Sequence, residues 1–517
     1  MCGIFGILSQ NEDSFNLQNL NNSNHRGPDN TCVNNSINNI FFQFHRLSIN
    51  DLSDSANQPF ENDKYIWMCN GEIYNYKQLK KKYSIICNSK SDCEVIGHLI
   101  DILGIQSMSK ILDGVFAISI FDKTDNTLYL IRDPIGVRPL YYYNDKSNFI
   151  FASEGKSLQS IVEKPSQIRQ FPPSSYMIYD YNTNSYHISK YFHIQKIAID
   201  NNIKFNDLYL TINNMLVDSV RKRLISDRPI GCLLSGGLDS SLIASILSKF
   251  LKESGEKLKT FSVGFSDSED LKYARRVSKY LKTDHYELIL DYEKVMHRIP
   301  EVIMHIETYD VTTIRASLGM YLLSEYISNN HPEKVIFSGE GSDELFGGYL
   351  YFHNSPSIRD FELETKRLVD DLCYFDVLRS DRCTSAFGLE LRVPFLDKDF
   401  MTYVLSISGE HRRCNYLEKY ILRMSFQSDY LPKDILMRKK EAFSDGVGGM
   451  KKPFYKHIQD YILSLNLYNI TNQDEIEKQY YKDIYYYEYS YQPIPYYWMP
   501  KWFNTTNPSG RIILNSN

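Results

Sequence analysis

The sequence predicts two domains of different class. The first is an α+β domain of mainly antiparallel sheets with helices; the second is an α/β domain with a parallel sheet and a helical C-terminal part. Three observations carry this. At 517 residues the chain is too long for one hydrophobic core. Near Asp207 the pattern changes, from short alternating apolar runs to strands that alternate with helical segments. A Gly-rich turn, Ser235-Gly236-Gly237, stands between a strand pattern and a helix pattern, as in sheets whose ligands sit at strand ends.

In the first part, runs at 4–8, 40–44, 65–69, 115–121, 127–132 and 149–153 read as strands, because each is apolar or alternating and bounded by Gly, Pro, Asn or Asp. Residues 92–103 carry apolar positions at helical spacing. Strands continue to about Phe192, and the polar stretch 196–206 reads as a linker. The predicted domains are therefore 2–195 and 206–517. In the second, helix 207–224, strand 229–234, helix 238–251, strand 259–265, helix 270–281 and strand 285–290 alternate, which indicates a parallel sheet covered on both faces. From about Tyr292 the chain reads as mainly helical, with a further short strand at 334–337. Residues 480–503 are dense in tyrosine; packed or interface aromatics fit them better than a base-stacking platform, since few basic residues accompany them.

Composition narrows the function. Lys plus Arg number 58 against 63 Asp plus Glu, a net charge of -5, which argues against a broad nucleic-acid-binding surface. No run of 18 apolar residues predicts a membrane span, and the N-terminus lacks the charged and apolar regions of a signal peptide. The nine cysteines are scattered without a Cys-x-x-Cys pair, so neither a disulfide framework nor a structural zinc site is expected. A cytoplasmic protein follows from these readings.

Cys2 stands apart through its position. Once Met1 is removed, Cys2 carries a free α-amine of pKa about 7.7–8.0, so one residue supplies both a nucleophile and a base. Four downstream features suit such a nucleophile. His25 to Asp29 form a charged turn sequence, and Arg46 can grip a carboxylate with its guanidinium fork. Asn70 and Gly71, which follow a strand, can supply an amide and a backbone N–H to an oxyanion, although Asn-Gly is also a common turn. Ser91-Asp92 at a helix start can receive an ammonium group or serve as an N-cap.

Together and in this order these features resemble the glutaminase domain of class II, N-terminal-nucleophile amidotransferases. The resemblance implies that Cys2 attacks the side-chain amide of glutamine and releases ammonia. It implies oxyanion stabilisation by Asn70 and Gly71, and glutamine recognition by Arg46, Glu72 and Asp92. Asn50 departs from the pattern, since the family commonly has an aliphatic residue there.

In the second domain, Leu233 to Ser241 place glycines and hydroxyls at a helix N-terminus, where phosphate binds. Neither a Walker A lysine nor a dinucleotide fingerprint is present. The Ser-Gly-Gly-Leu-Asp-Ser order resembles the pyrophosphate loop of the ATP pyrophosphatase superfamily. That likeness implies pyrophosphate on Ser235, Gly236, Gly237 and Ser240, with Asp239 on Mg²⁺. A second Gly-rich loop holds Glu340, Asp343 and Glu344, which repel one another unless a cation or a proton intervenes. Asp343 is the candidate Mg²⁺ ligand, and Glu340 the candidate base that assists nitrogen attack.

Three further segments, 307–317, 388–397 and 438–448, complete a resemblance to the glutamine-hydrolysing asparagine synthetase family over residues 2 to about 511. It implies that ATP and Mg²⁺ convert aspartate to β-aspartyl-AMP, which ammonia from Cys2 turns into asparagine with release of AMP. Leu233, Val263, Ser338 and Gly339 would contact the nucleotide. Thr312, Arg315 and Lys440 would stabilise the adenylate, and Arg392 would have an ordering role. A protected passage for ammonia and a closing loop at 442–449 are expected. The expected partners are small molecules (glutamine, aspartate and ATP), with no nucleic acid or membrane and with a homodimer as the assembly to test. A sugar-phosphate transferase would not need the ATP loop, a β-lactam-forming synthetase would lack the working glutaminase, and a regulatory paralogue would lack some of these residues.

Overall fold

The computed structural model describes residues 1–11, 23–194, 199, 203–414, 417–440, 446–449, 452–469, 472–491, 494 and 496–509. Among the described residues the N-terminal half has twelve strands: β1 (Gly3–Ser9), β2 (Asn30–Asn34), β3 (Ile40–Arg46), β4 (Phe60–Glu61), β5 (Tyr65–Ile73), β6 (Gly114–Asp122), β7 (Thr127–Arg132), β8 (Tyr141–Asn144), β9 (Asn148–Ala152), β10 (Arg169–Gln170), β11 (Ser175–Asp180) and β12 (Ser185–Lys190). They form two six-stranded antiparallel sheets, ordered β10-β8-β9-β1-β3-β2 and β12-β11-β7-β6-β5-β4.

The two-residue period of β1 explains the layering. Ile4 and Leu8 join Phe42, Met68, Phe121 and Leu130 in a core between the two sheets. Phe5 and Ile7 point the other way, into the core shared with the C-terminal half. The outer face of the second sheet packs Trp67, Phe116 and Ile118 against Val95, Ile96 and Leu99 of the helix Val95–Ile111. That helix breaks at Gly104 (φ +69°), close to the end expected at 103.

The helix Phe205–Lys222 opens the second half, so the expected linker ends two residues early; most of 196–202 lies outside the described residues. β13 (Ile230–Leu233), β14 (Lys259–Gly264), β15 (Asp284–Ile289), β16 (Val335–Phe337) and β17 (Glu390–Arg392) then form a parallel sheet ordered β15-β14-β13-β16-β17. β17 was not expected from the sequence. The order reverses between β13 and β16, so the loops after these two strands open onto one crevice, where open α/β sheets bind ligands. Among the described residues no helix is long and apolar enough to cross a membrane.

Much of the tyrosine-dense segment is packed, although Tyr486 and Tyr487 are exposed. Tyr480, Tyr481, Tyr485, Tyr489, Tyr491 and Trp498 are buried. The Tyr491 hydroxyl donates to Glu307 (2.6 Å), and the Trp498 N–H donates to Asp310 (2.8 Å), so this segment braces the wall next to the crevice.

Candidate active sites

Cys2 immediately precedes β1, half-buried, with Sγ accepting from the Leu47 N–H at 3.4 Å. Burial pushes its thiol up, against the pull of the nearby chain-terminal amine. Met1 is buried beside it. The Met1 ammonium donates to the Leu389 carbonyl at 3.1 Å, its sulfur lies against the Arg138 guanidinium, and burial lowers its amine to about 5. Arg26 donates to the Cys2 carbonyl (2.9 Å) and pairs with Glu154 (3.0 Å) and with Asp381 of the C-terminal half (2.9 Å).

Asn70 and Gly71 lie inside β5 and not after it, because the ladder with β6 continues through Asn70–Ala117 and Gly71–Phe116. The strand can hold Gly71 at φ +152° only because it is glycine: a Cβ would stand 2.0 Å from the Val115 carbonyl. Asn70 is fully buried, and neither its Nδ2 nor its Oδ1 has a hydrogen-bond partner. Buried polar atoms are usually paired, so this amide is free to meet a further hydrogen-bonding group.

Asp92 does not cap the following helix. That helix begins at Val95, and Asp92 Oδ2 accepts from the Ile73 N–H of β5 at 2.6 Å. Asn50 Nδ2 donates both to Asp92 Oδ1 (3.3 Å) and to Glu72 Oε2, drawing two buried carboxylates around one amide. Burial and the Asp92 and Glu390 carboxylates raise Glu72 well above the usual range; burial also raises Asp92. Arg46 is held by three neutral oxygens, from Ser53 (2.8 Å), Asn57 (2.8 Å) and Asp51. Arg392 reaches in from β17, its Nη2 3.6 Å from Glu72 and its Nε donating to Glu390 at 2.8 Å.

The second site lies at the reversal of the parallel sheet. The Ser235 and Ser240 hydroxyls meet at 2.9 Å, and Ser240 Oγ accepts from the Ser235 N–H at 3.1 Å, so the turn closes on itself above the start of the helix Leu238–Glu253. Gly339 after β16 packs against this turn, where a Cβ would come within 2.8 Å of the Ser240 nitrogen. Leu233, Ser235, Gly237, Asp239, Ser240, Val263, Thr312, Ser338, Gly339, Glu340, Asp343 and Lys440 all line one cavity. Gly236 is not among its lining residues.

The three acidic residues of the second loop meet three different environments. Asp343 receives Lys419 (2.6 Å) and Lys440 (2.5 Å). Although burial opposes its charge, the two ammonium groups hold its carboxyl down at about 2. Glu340 pairs with Arg379 at 2.9 Å, but burial outweighs the pair and leaves it raised to about 7. Glu344 is raised well above its ordinary value by burial and by the Asp376 and Asp343 charges, and accepts from the Tyr349 hydroxyl.

Lys419 also reaches Asp239 at 2.5 Å, so two carboxylates from separate loops share one ammonium. Such an oxygen pair, already brought together by a cation, suits Mg²⁺. The sequence offered no signal for Lys419 or Arg379, since neither belongs to a spaced motif. Arg315 is not brought to the cavity. Its fork is engaged by Glu477 (2.8 and 2.5 Å) and Asn507 (2.8 Å) under the Tyr455 ring. Of the loop at 442–449, residues 442–445 lie outside the described residues; Gly446 and Val447 accept from Ser268 Oγ (2.7 Å) and the Phe265 N–H (3.1 Å).

Comparison with known proteins agrees with this two-site layout. A glutamine amidotransferase domain model matches residues 1–213, and an asparagine synthase model matches 211–371 and 361–485. The human glutamine-hydrolysing asparagine synthetase is 40% identical over 558 residues, covering 99% of this chain and 98% of that protein. The chain belongs to the glutamine-hydrolysing asparagine synthetase family. Its relatives from Cricetulus griseus and Gallus gallus are each 41% identical over 554 residues, with the same coverage. Both family domains are therefore present in one chain, each carrying one of the two sites.

Proposed function

We propose that this chain makes asparagine from aspartate, with glutamine as nitrogen donor and ATP as activator, through a domain at 2–195 and a domain at 206–517 in a cytoplasmic enzyme. The near end-to-end likeness to glutamine-hydrolysing asparagine synthetases carries the reading.

In the first step Cys2 Sγ attacks the side-chain amide carbon of glutamine, with the Cys2 amine taking the thiol proton. The Asn70 side-chain N–H and the Gly71 N–H stabilise the oxyanion; the unpartnered, buried Asn70 amide supports that role. Ammonia leaves, and water releases glutamate from the thioester. Arg46 holds the substrate carboxylate, while Glu72 and Asp92 hold its ammonium. Removal of Met1 has two effects here. It creates the amine base, and it clears the space that Met1 fills between Cys2, Arg138 and Leu389, on the side facing the C-terminal half.

In the second step the aspartate side-chain carboxylate displaces pyrophosphate from ATP. Ser235, Gly236, Gly237 and Ser240 cradle that pyrophosphate; Leu233, Val263, Ser338 and Gly339 hold the nucleotide. Asp239 and Asp343 would hold Mg²⁺, which neutralises phosphate charge when bound. Thr312, Lys440 and Lys419 face the departing and adenylated groups, and Arg315 takes part only once it is freed from Glu477. Glu340, poised near neutrality, accepts a proton as ammonia attacks the acyl carbon and AMP leaves.

The test supplies glutamine, aspartate, ATP and Mg²⁺ and assays asparagine, AMP and pyrophosphate. ADP in place of AMP would refute adenylation. Cys2→Ala is expected to abolish glutamine hydrolysis and to retain asparagine formation from ammonia.

A further inference from the structure

A third group of reactive side chains lies outside both sites. Among the described residues, one triad of metal-ligating groups comes together: Cys87 Sγ, a Glu94 carboxylate oxygen and a His98 ring nitrogen, all within 4.8 Å of one another. Glu94 and His98 are four residues apart, which places them on one face of the first turn of the helix Val95–Ile111 and its entry. Cys87 arrives from the loop that precedes it.

The Glu94 carboxylate is already oriented. Its Oε1 accepts from the Asn88 N–H (2.7 Å), and its Oε2 accepts from the Ser89 N–H (2.7 Å) and Ser89 Oγ (2.5 Å). Bonds of this kind aim a ligating carboxylate, and they leave lone pairs for an ion. The His98 ring stands edge-on to Trp67, with 6.5 Å between centroids, which limits its rotation. Cys87 and His98 are half-buried, so solvent reaches the group.

We propose that Cys87, Glu94 and His98 form a binding site for a borderline divalent cation, Zn²⁺, with three protein ligands and a water in the fourth position. Thiolate, imidazole and carboxylate are the donor set that selects zinc over magnesium or calcium. On binding, the Cys87 thiol gives its proton to solvent and a sulfur–metal bond forms without any change of oxidation state. An ion there ties the loop at 87–89 to the helix start and so fixes the intervening segment that carries Asp92.

The probe is Co²⁺ added to the full-length, Met1-processed protein, read by the near-ultraviolet thiolate-to-cobalt charge-transfer band. Zn²⁺ affinity is then measured by displacement. The wild type is expected to show the band and to lose it in Cys87→Ser, an isosteric change at a half-buried site. His98→Gln is expected to weaken binding at least about tenfold. A wild type without the band, a band that persists in Cys87→Ser, or one that disappears instead in Cys2→Ala would overturn the proposal.

Discussion

At the scale of single residues, both sites work by giving identical carboxyl groups different surroundings. Glu340, Asp343 and Glu344 fall within five positions, yet burial sets one near 7 against the Arg379 charge, burial and two carboxylates hold one well above its ordinary value, and two ammonium groups hold one near 2. If Glu340 is the base, it must be ionised. Its raised value then places an acid limb near pH 7 in the ammonia-dependent rate, measured at fixed free ammonia, with activity falling as pH drops through it. Glu340→Gln is expected to remove both the limb and most of the rate. Lys419 bridges Asp239 and Asp343, so Lys419→Met leaves two half-buried carboxylates facing one another, with Lys440 as the remaining ammonium on Asp343. We expect a loss of about tenfold or more in ATP–pyrophosphate exchange, since Asp239 loses the ammonium that it shares with Asp343 and two like charges are left close together. In the first site, the Asn50 amide stabilises the ionised forms of Glu72 and Asp92. Asn50→Val is expected to raise both carboxyl pKa values, moving the acid limb of kcat/KM for glutamine to higher pH.

At the scale of elements, glycines set how closely backbones approach. Gly71 lets β5 run against β6 through the point where the oxyanion donors sit. Gly71→Ala must part the two strands. We expect a loss of at least about 1–3 kcal/mol of stability, read as a lower Tm, together with loss of glutamine hydrolysis. Gly339 performs the corresponding task between the loop after β16 and the pyrophosphate turn. Gly339→Ala is expected to cost about 1–3 kcal/mol in nucleotide binding, seen as an ATP KM raised about tenfold with glutamine hydrolysis intact.

At the scale of the molecule, Arg392 joins the two sites. Its side chain lies 3.6 Å from Glu72 in the first, and its carbonyl accepts from the Ser338 N–H (3.0 Å) at the rim of the second. Its Nη1 also donates to the Arg223 and Ile225 carbonyls, so the guanidinium is fixed to the C-terminal half. One short strand thus touches both sites. Arg392→Met is expected to raise the ratio of glutamate to asparagine formed while ammonia-dependent synthesis persists; an unchanged ratio would contradict this role. The buried pairs of Arg26 and Arg382 with Glu154, Asp381 and Glu307 bind the same interface.

The sequence by itself determined the order of elements, because apolar periodicity and turn residues act over a few positions. The strand expected at 127–132 forms with those bounds, and the turn at Ser235–Gly237 stands between β13 and its helix. It also determined which chemistry is available, since Cys2, the Ser-Gly-Gly-Leu-Asp-Ser loop and the acidic loop are local patterns. What only the tertiary structure decided is which groups meet across the chain. Lys419 lies 180 positions from Asp239, and Arg392 lies 320 positions from Glu72; no local pattern encodes either meeting. Arg315 illustrates the reverse case, a motif residue whose fork is taken by Glu477, 162 positions away. Asn70-Gly71 reads locally as a turn, yet the pairing partner β6 keeps it in the strand. The physical reason is common to all four. Periodicity reports which face of an element is buried, whereas the partner of a buried charge or amide depends on how distant elements pack.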